Sequence, residues 1–298
     1  MRSAWEAWRL TVKLVTSQRK LFVPFVIAAL VETLFVGMLW LAPHPPFSRV
    51  LAPPIRYFFG DRVLHYPVHL WFLYHAMKHT NLFTSILVGA FMSGIACAMV
   101  RQVHEQTPLS LRDALVAREV PYARVTLLWL ITWGLAKGTL ELASKFIFIP
   151  KTIWALVGVI GLTVVLQALL VYAIPAAVFD DAKWWKALWR GLREACRHPL
   201  STLIMVLIPS AMVIGFAIFL SPAHLAQWMV HTAPEIAIPL VAARLFVWTV
   251  ADAILTISIS HLWWIHRASR RAVKEVNVTI ASAIIPRERV LQEGPAVA

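Results

Sequence analysis

Six stretches of about 20 apolar residues, near 21–42, 80–100, 124–144, 152–175, 199–221 and 237–264, set the first limit on how this chain folds. An α-helix rises about 1.5 Å per residue, so roughly 20 residues cross the ~30 Å hydrocarbon core of a bilayer. No water is available there for backbone N–H and C=O groups, and a helix satisfies them internally. The sequence therefore predicts an all-α integral membrane protein with six transmembrane helices. Composition agrees. Only 14% of the 298 residues are charged, against about 25% in a soluble domain whose surface faces water. The first stretch is too long for the apolar part of a cleavable leader and lacks a small-residue cleavage site, so it reads as a retained span.

Orientation follows from the basic residues. The segment before residue 21, the connections 101–124 and 180–198, and the segment after 265 hold 5, 4, 5 and 6 of them, together 20 of 28. The opposite side holds six: Arg49, Arg56, Arg62, Lys78, Lys145 and Lys151. The positive-inside rule then predicts a multi-pass chain in the inner (cell) membrane with both termini cytoplasmic. The expected membrane domain is 1–275, with a polar tail over 276–298 whose last ten residues are disordered. A net charge of +13 would point to nucleic acid in a soluble protein. Here basic segments beside anionic lipid account for it, and the expected partners are membrane lipids, not nucleic acid.

The basic segments are also amphipathic. Over 182–198, Trp185, Leu188, Trp189, Leu192 and Cys196 share one helical face, flanked by a stripe of Lys186, Arg190, Arg193 and Arg197. Such a helix lies in the interface, its rings in lipid and its basic heads reaching phosphates. The N-terminal segment repeats the plan with Trp5, Trp8, Val12 and Val15 against Arg9, Lys13 and Arg19, and 109–124 repeats it more weakly. Each segment precedes two spans. The pattern predicts three parallel repeats of an amphipathic helix plus a helical hairpin, in register at Ala7, Ala114 and Ala187. In the connection over 43–79, Pro43, Pro45, Pro46, Pro53 and Pro54 argue against regular helix at its start.

The run Ile174-Pro175-Ala176-Ala177-Val178-Phe179-Asp180, followed by Ala187-Leu188 and Arg190, resembles a pattern in bacterial six-helix membrane proteins. The membrane domain attached to some glycerophosphodiester phosphodiesterases looks similar. The resemblance covers residues 170–210, with a fainter echo at 3–30. It implies a helical membrane module and carries over no catalytic residue, because the phosphodiesterase chemistry resides in a separate soluble domain.

Five ionisable residues fall inside the expected spans: Glu32, Lys137, Glu141, Arg244 and Asp252. Each costs roughly 2.5–3.5 kcal/mol at a helix centre, so each needs a partner or a watered cavity. Counting along the helices places Glu32, Lys137 and Arg244 at comparable depth, which predicts a pair between Glu32 and one of the two cations. Lys137 and Glu141 stand i,i+4 on one helix and can pair locally. Either these charges form a polar path through the bundle, or they are ion pairs that fix helix register. On the outer side, His65 and His69, and His75 and His79, have the i,i+4 spacing that lets two imidazoles hold a metal, although no acidic residue completes a metalloprotease-type motif. Ala90, Gly94 and Ala98 form a small-residue stripe for close helix packing. Cys97 and Cys196 give no disulfide framework.

No phosphate-binding loop, nucleophile elbow or cofactor motif is present. The sequence thus points first to a non-enzymatic membrane module acting in lipid organisation or protein partnering. A transporter using the intramembrane charges comes second, and a membrane metalloenzyme a distant third.

Overall fold

The computed structural model describes residues 4–116, 121–147, 153–219 and 234–292. Among these, every regular element is helical. In chain order they are α1 (Ala4–Ser17), α2 (Val23–Leu41), α3 (Ser48–Phe59), α4 (Val68–Thr84), α5 (Ala90–His104) and α6 (Leu111–Val116). Then come α7 (Tyr122–Ile147), α8 (Ile153–Leu170), α9 (Ala173–Phe179), α10 (Trp184–Arg197), α11 (Pro199–Phe219) and α12 (Ala237–Gln292). Proline in the first turn starts α2 at Pro24 and α11 at Pro199, where the missing N–H has no intrahelical partner to lose.

Five helical stretches are long and apolar enough to cross a membrane: Arg19–Leu41, Thr80–His104, Val157–Phe179, Pro199–Phe216 and Ala237–Arg270. The 26-residue α7 occupies the position of the expected third span and is long enough, but it is not among them. Arg124, Lys137, Glu141 and Lys145 dilute its apolar run. The spans turn apolar surface outward. On α2, Val26, Leu30 and Leu34 form an exposed i, i+4, i+8 stripe, while Phe25, Glu32 and Val36 are buried. A soluble helix does the reverse, so this bundle is shaped for an apolar solvent.

The core gathers around α5, whose residues Ile95 to Val100 are all buried. Ala90, Gly94 and Ala98 are buried along it, as the small-residue stripe predicts, and α12, α9, α7 and α2 pack against the helix. Tyr172, Ala176, Phe179, Ile257 and Trp263 complete this cluster from α8–α9 and α12. A second cluster joins α2, α4 and α12 through Val36, Leu73, Met77 and Leu245.

Two segments depart from expectation. The prolines at 53 and 54 lie inside α3 rather than outside any helix. Both are exposed, and the carbonyls they leave without a helical N–H partner belong to the exposed Arg49 and Val50. The segment expected to be tail is helical as far as Gln292, in continuation of α12. Between α4 and α5 the chain makes a π-turn over Ser85–Gly89 without interrupting the rod.

Candidate functional site

Two polar constellations stand out, one inside the bundle and one at the end where α10 packs. The inner one begins at Glu32, buried on α2. Asn81 Nδ2 on α4 donates to its Oε1 at 2.8 Å, and the charge of Arg244 on α12 acts on it as well. Arg244 also lies over the Trp248 ring, 6.0 Å from its centroid. Asp252, two turns further along α12, is near enough to feel the Glu32 charge. Of the five ionisable residues expected within the spans, Glu32, Arg244 and Asp252 thus lie near one another. The side chains of Lys137 and Glu141 lie outside the described residues.

Asp252 lines two cavities. One, of about 40 Å³, also meets Glu32, Asn81, Thr84, Ser85 and Thr249. The other, of about 160 Å³, meets Ser93, Thr132, Gln167 and Thr256, with Cys97 and apolar side chains around them. These neutral polar neighbours are absent from the sequence-based list, because single hydroxyls and amides give no charge signal within an apolar run.

The second constellation is built on the buried face of α10. Ala187, Gly191, Glu194 and Ala195 face the protein, so small residues bring this helix close to α9. A Cβ at Gly191 would stand 2.9 Å from Ala173 N and 3.0 Å from the Tyr172 carbonyl carbon. The sealed face carries one charge. Glu194, 1% exposed, receives Arg270 Nη1 at 2.7 Å on Oε2. His266 Nδ1 stands 3.2 Å from Oε1, out of line for a well-formed hydrogen bond. His198 Nε2 is 3.8 Å away and Arg197 Nη1 3.9 Å. Burial pushes the Glu194 carboxyl up, but His266, Arg270 and His198 outweigh it and hold it below the usual carboxylate value. Burial, then the neighbouring His266, lowers the imidazole of His198.

A parallel pairing holds Asp180, the acidic residue of the Pro-Ala run. Arg267 Nε lies 3.2 Å from it and Arg190 Nη1 3.5 Å, while Arg267 also donates to the Phe179 carbonyl at 2.8 Å. Arg267 and Arg270 of α12 thereby clamp α9 and α10. The sequence reading missed this clamp.

Among the described residues, Glu194, His198 and His266 offer three ligand atoms within 4.8 Å of one another. Their geometry favours ion pairing over metal ligation. Arg270 already neutralises the carboxylate, and the two imidazoles stack on each other at 3.8 Å and 29°. His65 and His69 have separate partners. His65 pairs with Asp61 at 3.2 Å, whereas the buried His69 bonds the Trp40 carbonyl at 2.9 Å. The side chains of His75 and His79 lie outside the described residues.

The outward face of α10 carries Trp185, 60% exposed, and Trp189, 61% exposed. Lys186, Arg190, Arg193 and Arg197 are all exposed beside them. The four are not equivalent. Arg190 and Arg197 approach Asp180 and Glu194, whereas Lys186 and Arg193 have no carboxylate within 4.0 Å among the described residues.

Compared with models of known families, with curated proteins and with solved structures, the chain matches none.

Proposed function

We propose that this chain is a non-enzymatic, six-span module of the inner membrane that gathers anionic lipid at its cytoplasmic face. The outward face of α10 carries this reading. Its inner face is closed by small residues and its buried carboxylate is already paired, so exposed tryptophans and surplus cations are left for the interface. Partnering with another membrane protein through the same face is compatible with this role. The resemblance of the 170–210 segment to a helical membrane module points the same way.

Lipid binding at α10 has a specific test. Each basic residue near an anionic surface contributes about 1 kcal/mol. Lys186→Gln with Arg193→Gln should lower the preference for anionic over zwitterionic lipid about thirtyfold in defined bilayers, read by energy transfer from tryptophan to labelled lipid. Arg190→Gln with Arg197→Gln should do less to lipid preference and more to stability. Equal lipid preference in the first variant and the wild type would remove the proposal.

The six-span topology rests on the length of α7 and the basic-residue bias, and the order α1, α6, α10, each preceding two long helices, supports the three-unit repeat. In a cysteine-free background, Asp113→Cys and Lys183→Cys should label from one side and Arg62→Cys from the other. If the residues at 113 and 183 label from opposite sides, α7 does not cross.

A second reading, passage of a small polar solute or ion through the bundle, is favoured by one observation: Asp252 borders both intramembrane cavities.

A further inference from the structure

We propose that Asp252, exposed on its helix and lining both polar cavities, binds a small cation, a proton or a sodium ion, where the two cavities meet. Three observations meet at this residue. It lies near the middle of the apolar Ala237–Arg270 stretch, where a carboxylate persists only with a partner or a solvated cavity. Among the described residues, no Lys, Arg or His comes within 4.0 Å of its carboxylate, and no side chain donates a hydrogen bond to it. The nearby charge acting on it is that of Glu32, whose own carboxylate takes the Asn81 hydrogen bond and feels the charge of Arg244 without a salt bridge to it. Asp252 is therefore the carboxylate in this group that lacks a counter-charge, and the missing charge is one positive unit.

The surroundings suit that occupant. Thr249, Thr256 and Gln167 place neutral oxygen atoms on the walls beside Asp252. Neutral oxygens and one carboxylate match a hard monovalent cation, or a proton relayed through hydroxyls. A soft metal would want thiolate or imidazole, and Cys97, the thiol on this wall, is engaged by the Ser260 hydroxyl at 3.0 Å. The smaller cavity borders the π-turn at Ser85 and Gly89. Single π-turns inside α-helices concentrate at functional sites. The inference deepens the second reading above but requires only binding, not passage. It is independent of lipid contact at α10.

A carbodiimide reports the site directly. Dicyclohexylcarbodiimide attacks a protonated carboxyl in apolar surroundings: the acid proton moves to a carbodiimide nitrogen, and the carboxylate oxygen bonds the central carbon. The full-length protein in detergent, in sodium-free buffer, should acquire an adduct at Asp252, located by peptide mass mapping. Its rate should fall about tenfold per pH unit once the carboxyl deprotonates. Sodium chloride, compared with choline chloride at equal ionic strength, separates the two occupants: protection assigns sodium, and no protection assigns the proton. Asp252→Asn should abolish this adduct and Asp252→Glu should restore it, each with wild-type Tm as the folding control. Lys186→Gln with Arg193→Gln should leave it unchanged. Absence of an Asp252 adduct at every pH, or modification of Glu32 in its place, overturns the proposal.

Discussion

Arg270→Met should destabilise the protein by about 3 kcal/mol, the lower end of what breaking a buried ion pair costs. The effect is lopsided for a physical reason. The Glu194 side chain is 2% exposed, whereas that of Arg270 is 44% exposed. Remove the cation and the anion is stranded in the protein. Remove the anion, as in Glu194→Gln, and Arg270 can turn to water, for a loss of about 1.5 kcal/mol. The double variant should therefore be more stable than Arg270→Met alone. Unfolding in mixed micelles measures all three, and additive losses would show that the pair is not coupled.

Acid should act on the same cluster. Glu194 is held below its ordinary 4.5, and His198 below its ordinary 6.5. A group with a depressed value in the folded state contributes stability that is complete above its unfolded value and drains as pH falls through the folded one. Tm should thus be flat above 6.5 as far as His198 is concerned, decline below it, and fall again below 4.5. In Arg270→Met the sense reverses locally. Protonation relieves the stranded Glu194, so the gap to the wild type should narrow in acid.

The second large effect is expected at Gly191. Replacing a helical glycine by alanine ordinarily gains up to about 1 kcal/mol of helix propensity. Here the new Cβ meets backbone atoms of Tyr172 and Ala173 at 2.9 to 3.2 Å, and backbone cannot swing aside as a side-chain tip can. Overpacking of this kind costs typically 1–3 kcal/mol, so Gly191→Ala should be destabilising by about 2 kcal/mol net of propensity. Gly37 is the control, since a Cβ there meets nothing within 4 Å. Gly37→Ala should be neutral or mildly stabilising. If thermal unfolding ranks the two variants the other way, α10 does not sit as close to α9 as described.

The membrane class was legible because spans are long and their signal is summed over many residues. The weakest of the six expected spans, α7, is the one whose apolar run is broken by Lys137 and Glu141. Within the site, Glu32, Arg244 and Asp252 announced themselves as charges among apolar residues, whereas Asn81 and Gln167 did not. The His65–His69 pair shows why spacing alone misleads. An i,i+4 pair requires one continuous helix, but α4 begins at Val68, so His65 precedes the helix that carries His69. The clamp was illegible for another reason. Arg270 and Glu194 are 76 residues apart, and local periodicity holds no information about that contact.

That separation has a consequence for biogenesis. A nascent chain reaches the membrane from its N-terminal end, so α9 and α10 arrive before α12. During that interval Asp180 has only Arg190 of its two guanidinium partners, and Glu194 lacks Arg270. Glu194 and Asp180 gain their full set of partners only when α12 delivers Arg267 and Arg270. Until then, the Glu194 carboxylate lacks its hydrogen-bonded cation. The completed clamp thus requires α12 to have joined α9 and α10.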